Sequence, residues 1–336
     1  MTARATPLPP PMTRAGAVQR LEPGIRRNAW TLSLVGFLAL LLVFTRLIQP
    51  DYGVAGIQGL AISVLPLALA AVGQAIVIIS GGIDLSIGAM MALTSVVTAS
   101  LMLGQHEEVG IPIVIGVLLL GLVLGAVNGS LVVVTRVPDI VVTLAMSYVW
   151  AGCALLVLKT PGGGSVQWLK DLIIGPLGSE WLPKAAIVLV AIVAVIWIPV
   201  RRSSMGLSLY AIGSNRLAAF RSGVPVGRTR ILAYVLTGLF AALGGLSLTA
   251  STGIGTPVPG PYTLLSVAAS VLGGVALAGG RGGVFGPIVG VMVLQLIRTD
   301  ITFLNVNPNL AVVVQGVILI GVVMVGSLIQ LRRAHA

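Results

Sequence analysis

The sequence has very few charged side chains for its length. Only 9% of its 336 residues are Asp, Glu, Lys or Arg, while 57% are hydrophobic, and the mean hydropathy is +1.07. A water-soluble fold of this length carries far more charge, whereas membrane spans of about 20 apolar residues account for this composition. The composition therefore predicts an all-α, polytopic membrane protein.

Cysteine, histidine and catalytic motifs are also scarce. The single cysteine, Cys153, lies in an apolar run, which excludes an intrachain disulfide and a cysteine metal cluster. The two histidines, His106 and His335, fall in a predicted loop and a tail, so no serine-histidine pair lies within the membrane. No GxxxxGK[ST] motif is present. We expect no catalytic residue, cofactor or metal, and we expect any ATP hydrolysis to occur on a separate subunit.

Acidic residues are outnumbered by basic ones, 9 to 20, which gives a net charge of +11. Such an excess would favour a nucleic-acid partner in a soluble protein. If the N-terminal tail is cytoplasmic, however, 15 of the 20 basic residues fall on the inner side, in the two tails, the Arg136 turn, the loop 201–230 and the Arg281 turn. This is the positive-inside rule, so the charge predicts contact with membrane lipids and no nucleic acid.

Apolar windows predict about ten transmembrane helices in one membrane domain, 30–331, between cytoplasmic tails at 1–29 and 332–336. The first 29 residues lack the apolar core of a secretory signal. The predicted spans are 30–47, 56–79, 85–102, 111–134, 140–158, 185–200, 231–250, 263–278, 285–301 and 310–331. Ionisable groups within the spans are few, which argues against ion coupling.

Residues 80–88, SGGIDLSIG, form a polar interruption between two apolar runs. Paired glycines permit a helix break, and a break at membrane depth must be buried in protein or line a wet cavity. Asp84 and Ser86 are predicted to cap a helix that restarts at Leu85. Two interpretations stay open: Asp84 is only a cap at the membrane surface, or the break borders a solute path.

The Gly-Gly-x5-Gly pattern of residues 81–88 recurs at 279–286. In transporters, internal repeats often carry broken helices that meet at the solute site, so glycine-rich broken helices are predicted at both places. Neutral polar side chains within spans either tie helices together or bind a hydroxylated solute. The candidate path residues are Gln74, Asp84, Ser86, Asn128 and Thr143.

The basic loop 201–230 is predicted to contain a short amphipathic helix. Ser214 is expected to cap a helix over 215–222, which Gly223 ends and Pro225 prevents from resuming. Its apolar residues are Leu217, Ala218 and Phe220, and the arginines that flank them are Arg216 and Arg221. Such a helix suits either an anionic lipid surface or the groove of a soluble partner.

With these segments identified, the chain from about residue 55 resembles the permease subunits of bacterial ABC importers for monosaccharides, such as the ribose, xylose, arabinose, galactose and autoinducer-2 permeases. The motifs that carry the resemblance are 80–88 (SGGIDLSIG), 125–129 (GAVNG), 142–144 (VTL), 210–215 (YAIGSN), 218–219 (AA), 222–224 (SGV), 271–274 (VLGG) and 278–280 (AGG). The chain departs from the family pattern at one place. Family members commonly have acidic residues just after the tyrosine that precedes the Leu-Gly-Gly motif. This chain has Thr263 and Leu265 after Tyr262.

The resemblance implies a multi-pass protein of the bacterial inner membrane that pairs with a second permease copy or paralogue. It also implies a cytoplasmic ABC ATPase subunit and an extracytoplasmic sugar-binding protein as partners. The segment around 215–223 would be the helix that couples ATPase motion to the spans. Its implied coupling residues are Ser214, Asn215, Arg216, Leu217, Ala218, Phe220, Arg221 and Gly223.

The function expected from the sequence is inward passage of a monosaccharide or similar neutral polyol by alternating access, without catalysis by this chain. Two alternatives within transport are a nucleoside or other non-sugar solute moved by the same architecture, and a secondary carrier or channel that acts alone. A membrane scaffold without solute flux is a third alternative.

Overall fold

The computed structural model describes residues 14–305 and, beyond them, residues 310, 313, 314, 316, 317, 320, 321 and 324. Residues 14–305 form twelve α-helices, a short 3-10 helix and one β-hairpin. The elements are α1 Arg14–Ile48, α2 Val54–Ile79, α3 Ile87–Met102, the 3-10 helix Glu107–Val109, α4 Gly110–Thr135, α5 Asp139–Val157, α6 Gln167–Ile173, β1 Pro176–Leu177, β2 Ser179–Pro183, α7 Lys184–Arg202, α8 Ser204–Ser214, α9 Arg216–Arg221, α10 Val226–Thr252, α11 Tyr262–Leu272 and α12 Phe285–Phe303.

Seven of these helices are long and apolar enough to cross a membrane: α1 from Trp30, α2, α4, α5, α7, α10 and α12. The prediction of an all-α, multi-pass membrane protein is therefore confirmed. Two shorter apolar helices, α3 and α11, stand where the third and eighth spans were predicted. The predicted tenth span, 310–331, lies mostly outside the described residues, and the tail 332–336 lies wholly outside them.

The centre of the bundle is formed by α2 and α10. Helix α10 packs against α2, α3 and α4. In its most apolar window, α2 is 89% buried, whereas α5 is only 11% buried. A helix that is apolar all round is stable only when it is surrounded, whereas the exposed apolar faces of α1, α5 and α7 suit contact with lipid.

Small residues bring α4 and α10 unusually close. A methyl group on Gly125 would lie 2.2 Å from the Tyr234 carbonyl oxygen, and one on Gly238 would lie 2.1 Å from the Gly121 oxygen. Contact at backbone distance is the usual way in which membrane helices gain packing energy, since lipid removes the hydrophobic drive between them. This contact fixes α4 against the central helix.

Two helices are broken, as the sequence predicts, but their limits differ from the expected ones. Helix α3 begins at Ile87 rather than at Leu85, and α11 ends at Leu272 although apolar sequence continues to 278. With 16 and 11 residues, they are about 24 Å and 16 Å long, shorter than the roughly 30 Å hydrocarbon core of a bilayer. Non-helical chain completes both passages.

The two breaks meet at one end of the bundle. The Gly280 N–H donates a hydrogen bond of 2.9 Å to the carbonyl oxygen of Ile79, the last residue of α2. Gly213 of α8 lies against both Ile79 and Gly280, since a methyl group on Gly213 would be 1.9 Å from the Ile79 oxygen and 2.4 Å from the Gly280 nitrogen. A methyl group on Gly279 would be 3.0 Å from the Cα atoms of Gly81 and Gly213. We call Gly81, Gly213, Gly279 and Gly280 the glycine crossing.

Basic segments gather at the same end. Arg136, which follows α4, and Arg216 of α9 line one cavity, and the Tyr210 hydroxyl of α8 donates to the Gly282 carbonyl beside Arg281. At the opposite end, Glu107 accepts from the main chain of α6, and Lys184 donates to the Asp171 carbonyl. The sequence grouped the Arg136, 201–230 and Arg281 segments on one side of the membrane, and their contacts agree with that grouping.

Candidate functional site

The five candidate path residues lie in one hydrogen-bonded cluster around the first break, 80–86. They come from α2, the break itself, α4 and α5, and each is fully buried: Gln74, Asp84, Ser86, Asn128 and Thr143. We call this set the break cluster. Its first and last members, Gln74 and Thr143, are 69 residues apart in the sequence, yet the five residues are adjacent in space. Their side chains bond to one another and to the main chain of the break.

The side chains of the break cluster form a chain of hydrogen bonds. Asp84 Oδ1 accepts from the Ser86 N–H at 2.8 Å and from the Ser86 hydroxyl at 2.6 Å. Asn128 Nδ2 donates to Ser86 Oγ at 2.7 Å, and its Oδ1 accepts from the Trp150 indole N–H at 3.1 Å. This chain fastens the break to α4 and α5.

Other side chains satisfy the main chain of the break. Gln74, with its amide oriented to satisfy both bonds, donates to the Asp84 carbonyl at 2.9 Å and accepts from the Asp84 N–H at 3.2 Å. Thr143 Oγ1 accepts from the Leu85 N–H at 3.0 Å and donates to the Asp139 carbonyl at 2.8 Å. Side chains thus replace the intrahelical bonds that the break gives up, as irregular backbone in a membrane requires.

The predicted capping role of Asp84 and Ser86 is wrong. Ser86 occupies the N-cap position of α3 without making a side-chain cap bond, and the Asp84 carboxylate bonds to Ser86, which precedes the helix. A cap is supplied instead from another helix, because Thr263 Oγ1 of α11 accepts from the Gly88 N–H at 3.1 Å. Leu265, two residues along α11, packs against the apolar core.

An ion pair lies beside the first break. Arg230 of α10 donates to both carboxylate oxygens of Asp139 at the start of α5, and the Tyr234 hydroxyl donates to Asp139 Oδ2 at 2.8 Å. A methyl group on Gly82 would lie 2.5 Å from Asp139 Oδ2, so the pair touches the break. Asp139 directly precedes the predicted span 140–158, and its partner Arg230 is 91 residues away in the sequence.

The predicted coupling segment consists of two helices rather than one helix in a loop. Ser214 is the last residue of α8, and Asn215 caps α9 by accepting from the Ala218 N–H at 2.9 Å. The cap prediction for Ser214 is therefore wrong by one residue, because α8 was not foreseen. Gly223 follows α9 with φ +82°, a left-handed conformation that glycine adopts without strain.

Helix α9 presents an apolar surface to its surroundings. Leu217 and Phe220 are 58% and 68% exposed, while Ala219 faces inward. Beside them lies a groove of about 690 Å³, which is formed by Arg216, Leu217, Phe220 and residues 224–228. Arg216, Ala218 and Arg221 are also exposed. The helix thus offers an exposed aromatic side chain and an exposed leucine flanked by arginines, and aromatic residues and arginine are enriched at protein interfaces.

Comparison with known proteins places these features in context. The family described as branched-chain amino acid transport system / permease component matches residues 56–323. The ribose import permease protein RbsC of Escherichia coli (strain K12) is 30% identical over 310 residues, which cover 89% of this chain and 95% of that protein. No solved structure matches the chain.

Two further relatives come from Escherichia coli (strain K12). The galactofuranose transporter permease protein YtfT is 31% identical over 320 residues, covering 90% of this chain and 92% of that protein. The D-allose transport system permease protein AlsC is 29% identical over 265 residues, covering 78% of this chain and 80% of that protein. Similarity therefore extends over most of the membrane bundle.

Proposed function

The chain belongs to the family described as branched-chain amino acid transport system / permease component, and from that membership we propose that it is the membrane-spanning permease subunit of an ABC importer for a monosaccharide or similar neutral polyol. The observation that carries the proposal is similarity over most of the chain to permeases named for ribose, galactofuranose and D-allose. The chain is a transport component, and ATP hydrolysis belongs to a separate subunit.

The end of the bundle that holds α8, α9 and the glycine crossing faces the cytoplasm in this proposal, and both termini lie there. The arginines of this end support that orientation through the positive-inside rule. The opposite end, with α6 and the β-hairpin, receives an extracytoplasmic sugar-binding protein. A second copy of this chain or a paralogue completes the importer in the bacterial inner membrane, and residues 30–331 act as one permease domain.

Helix α9 is the coupling helix in this proposal. Its exposed Leu217 and Phe220 insert into the ATPase subunit, and the contact is transmitted through α8, which directly precedes α9 in the chain. Because Gly213 of α8 touches both breaks, displacement of α8 moves residues 80–86 and 279–280 together. The break cluster then governs the solute path by holding the position of the first break.

The proposal is tested by uptake into proteoliposomes that contain the full-length chain, its ATPase subunit and its binding protein. Radiolabelled ribose, allose and a nucleoside serve as probes. We expect uptake of a monosaccharide that requires ATP. Uptake that persists without the ATPase subunit would reveal a carrier or channel, and uptake of the nucleoside alone would overturn the sugar assignment.

The coupling role of α9 has its own test. We expect Leu217→Ala with Phe220→Ala to reduce ATP-dependent uptake at least about tenfold, because buried apolar anchors dominate interface energy. Val195→Ala is the matched control, since Val195 of α7 is 73% exposed and lies outside both α8 and α9. Gly223→Pro and charge reversal at Arg216 and Arg221 are expected to uncouple transport as well. Uptake equal to that of the control would refute the assignment.

A further inference from the structure

A cavity separate from the α9 groove lies between the end of α4, the start of α5 and α9. Its volume is about 350 Å³, which is at the lower end of the range for small-molecule sites. The residues that define its character are Arg136, Asp139, Arg216 and Arg230, with Val132 and Val133 on the α4 side. Three guanidinium groups and one carboxylate thus share one small space.

The charges around this cavity do not balance. Asp139 already accepts from Arg230 twice and from the Tyr234 hydroxyl, so it is neutralised by its own ion pair. Within the part of the chain that the structure describes, the side chains of Arg136 and Arg216 form neither a hydrogen bond nor an ion pair. Two arginines beside the cavity therefore lack an ion-pair partner of their own.

The electrostatic environment of Arg216 agrees with this imbalance. Partial burial and the nearby Arg230 guanidinium lower the pKa of the Arg216 side chain, and Asp139 only partly opposes them. A bound anion would relieve the repulsion between the two guanidinium groups. Guanidinium groups are suited to phosphate in particular, because their planar donors match its oxygens in pairs.

The surroundings of the cavity are apolar. Next to its lining residues, Val134 of α4 and Ile140 and Val141 of α5 are 77%, 48% and 56% exposed. Side chains of this kind on membrane-spanning helices suit contact with acyl chains, whereas the arginines suit the headgroup layer. We propose that this cavity binds a phosphate group, carried by an anionic phospholipid or free in solution.

The lining of this site contains none of the break-cluster residues, although its Asp139–Arg230 pair touches the first break. A ligand held by both Arg136 and Arg216 would join the α4–α5 turn to the first residue of α9. A bound phosphate would therefore hold the coupling helix against the bundle. Basic pockets between membrane helices are known to take lipid headgroups in this manner.

The test uses the purified full-length chain in detergent, with phosphatidylglycerol, phosphatidylcholine and inorganic phosphate as probes. Lipid binding is measured by native mass spectrometry, and phosphate binding by the shift in thermal unfolding. We expect phosphatidylglycerol to bind more tightly than phosphatidylcholine. Arg136→Gln and Arg216→Gln should each weaken anion binding about fivefold, the contribution of one arginine near a charged headgroup.

Arg202→Gln is the matched control, because Arg202 is an exposed arginine at the end of α7 that does not line the cavity. Selective loss of phosphatidylglycerol in the two cavity variants identifies a lipid phosphate. Loss of inorganic-phosphate binding without loss of lipid identifies free phosphate. Wild-type binding of both anions in both cavity variants, or equal weakening by Arg202→Gln, would overturn the site. Arg136 and Arg216 are exposed, so both variants are expected to fold, which size-exclusion chromatography verifies.

Discussion

The Asp139–Arg230 pair is the residue-scale feature that we expect to matter most for stability. Its side chains are only 15% and 6% exposed. Removing one member leaves the other charge buried without compensation, which typically costs about 3–5 kcal/mol. We therefore expect Arg230→Gln to lower the free energy of unfolding by that amount, as measured by denaturation in detergent.

The control for this variant is Arg228→Gln, because Arg228 is exposed and lies on the same helix two residues earlier. Surface substitutions usually change stability by no more than about 0.5 kcal/mol. Equal stability of the two variants would show that the ion pair contributes nothing beyond surface charge.

Asp84 supports a second residue-scale prediction. An asparagine keeps the acceptor oxygen that bonds Ser86, so Asp84→Asn should assemble with a stability within about 1 kcal/mol of the parent. We expect it to slow transport, because the break cluster loses its only carboxylate beside the proposed path. The assay is ATP-dependent uptake, with exposed Asp51→Asn as control. A rate equal to the control would restrict Asp84 to a structural role.

At this scale the sequence predicted which polar residues belong together but not how they bond. Gln74, Asn128 and Thr143 stood out because polar groups in apolar spans need partners. Their bonds to the break depend on how α2, α4 and α5 approach one another. The Thr263 cap on α3 was missed for the same reason, since 175 residues separate Thr263 from Gly88.

At the scale of elements, the glycine crossing gives α8 a part in the proposed mechanism, beyond that of a simple connector. Gly213→Ala would place a methyl group within 2.4 Å of the main chain of both breaks. Overpacking of this kind costs about 1–3 kcal/mol, and backbone atoms cannot rotate away as side chains do. We expect lower thermal stability and loss of ATP-coupled uptake. Gly116→Ala, with nothing within 4 Å of the new methyl group, should behave as the parent. Parent-like uptake by Gly213→Ala would exclude a tight crossing.

Element limits show where reading the sequence fails. Hydropathy windows located α2, α4, α5 and α12 within a few residues, since length and apolar content decide a span. The eighth span was predicted to reach 278, because residues 273–278 are apolar. Gly274 there has φ +85°, so the chain turns where composition alone suggests helix. Helix α8 was missed because it lies in a segment identified only by its charge.

At the scale of the whole molecule, the two ends of the bundle differ in charge, and the proposed orientation follows from that difference. The single cysteine makes the orientation measurable, because Cys153→Ser removes the native thiol. Exposed Ser179 and Ser222 lie on opposite ends and can each be replaced by cysteine. We expect a membrane-impermeant maleimide to label Ser179→Cys in spheroplasts, and Ser222→Cys only after permeabilisation. The reverse pattern would place α9 on the extracytoplasmic side and refute the coupling proposal.

Fold class and the grouping of basic segments were predictable from the sequence, because lipid imposes strong rules on composition and charge. The meeting of 80–88 with 279–286 was suggested by their shared glycine pattern. The sequence did not suggest that α8 lies between them, because Gly213 belongs to neither copy of the glycine pattern. A third partner in such a contact leaves no trace in the repeat itself.

The glycine crossing also limits how relatives of this chain can diverge. Gly81, Gly213 and Gly279 come from three remote parts of the sequence. A methyl group on Gly213 or Gly279 would lie within 3.0 Å of neighbouring backbone, whereas Gly81 is constrained by its left-handed φ of +81°. A member of the family that gains even one carbon at Gly213 or Gly279 must have widened the gap elsewhere. We expect the three positions to covary across the family, or not to change at all.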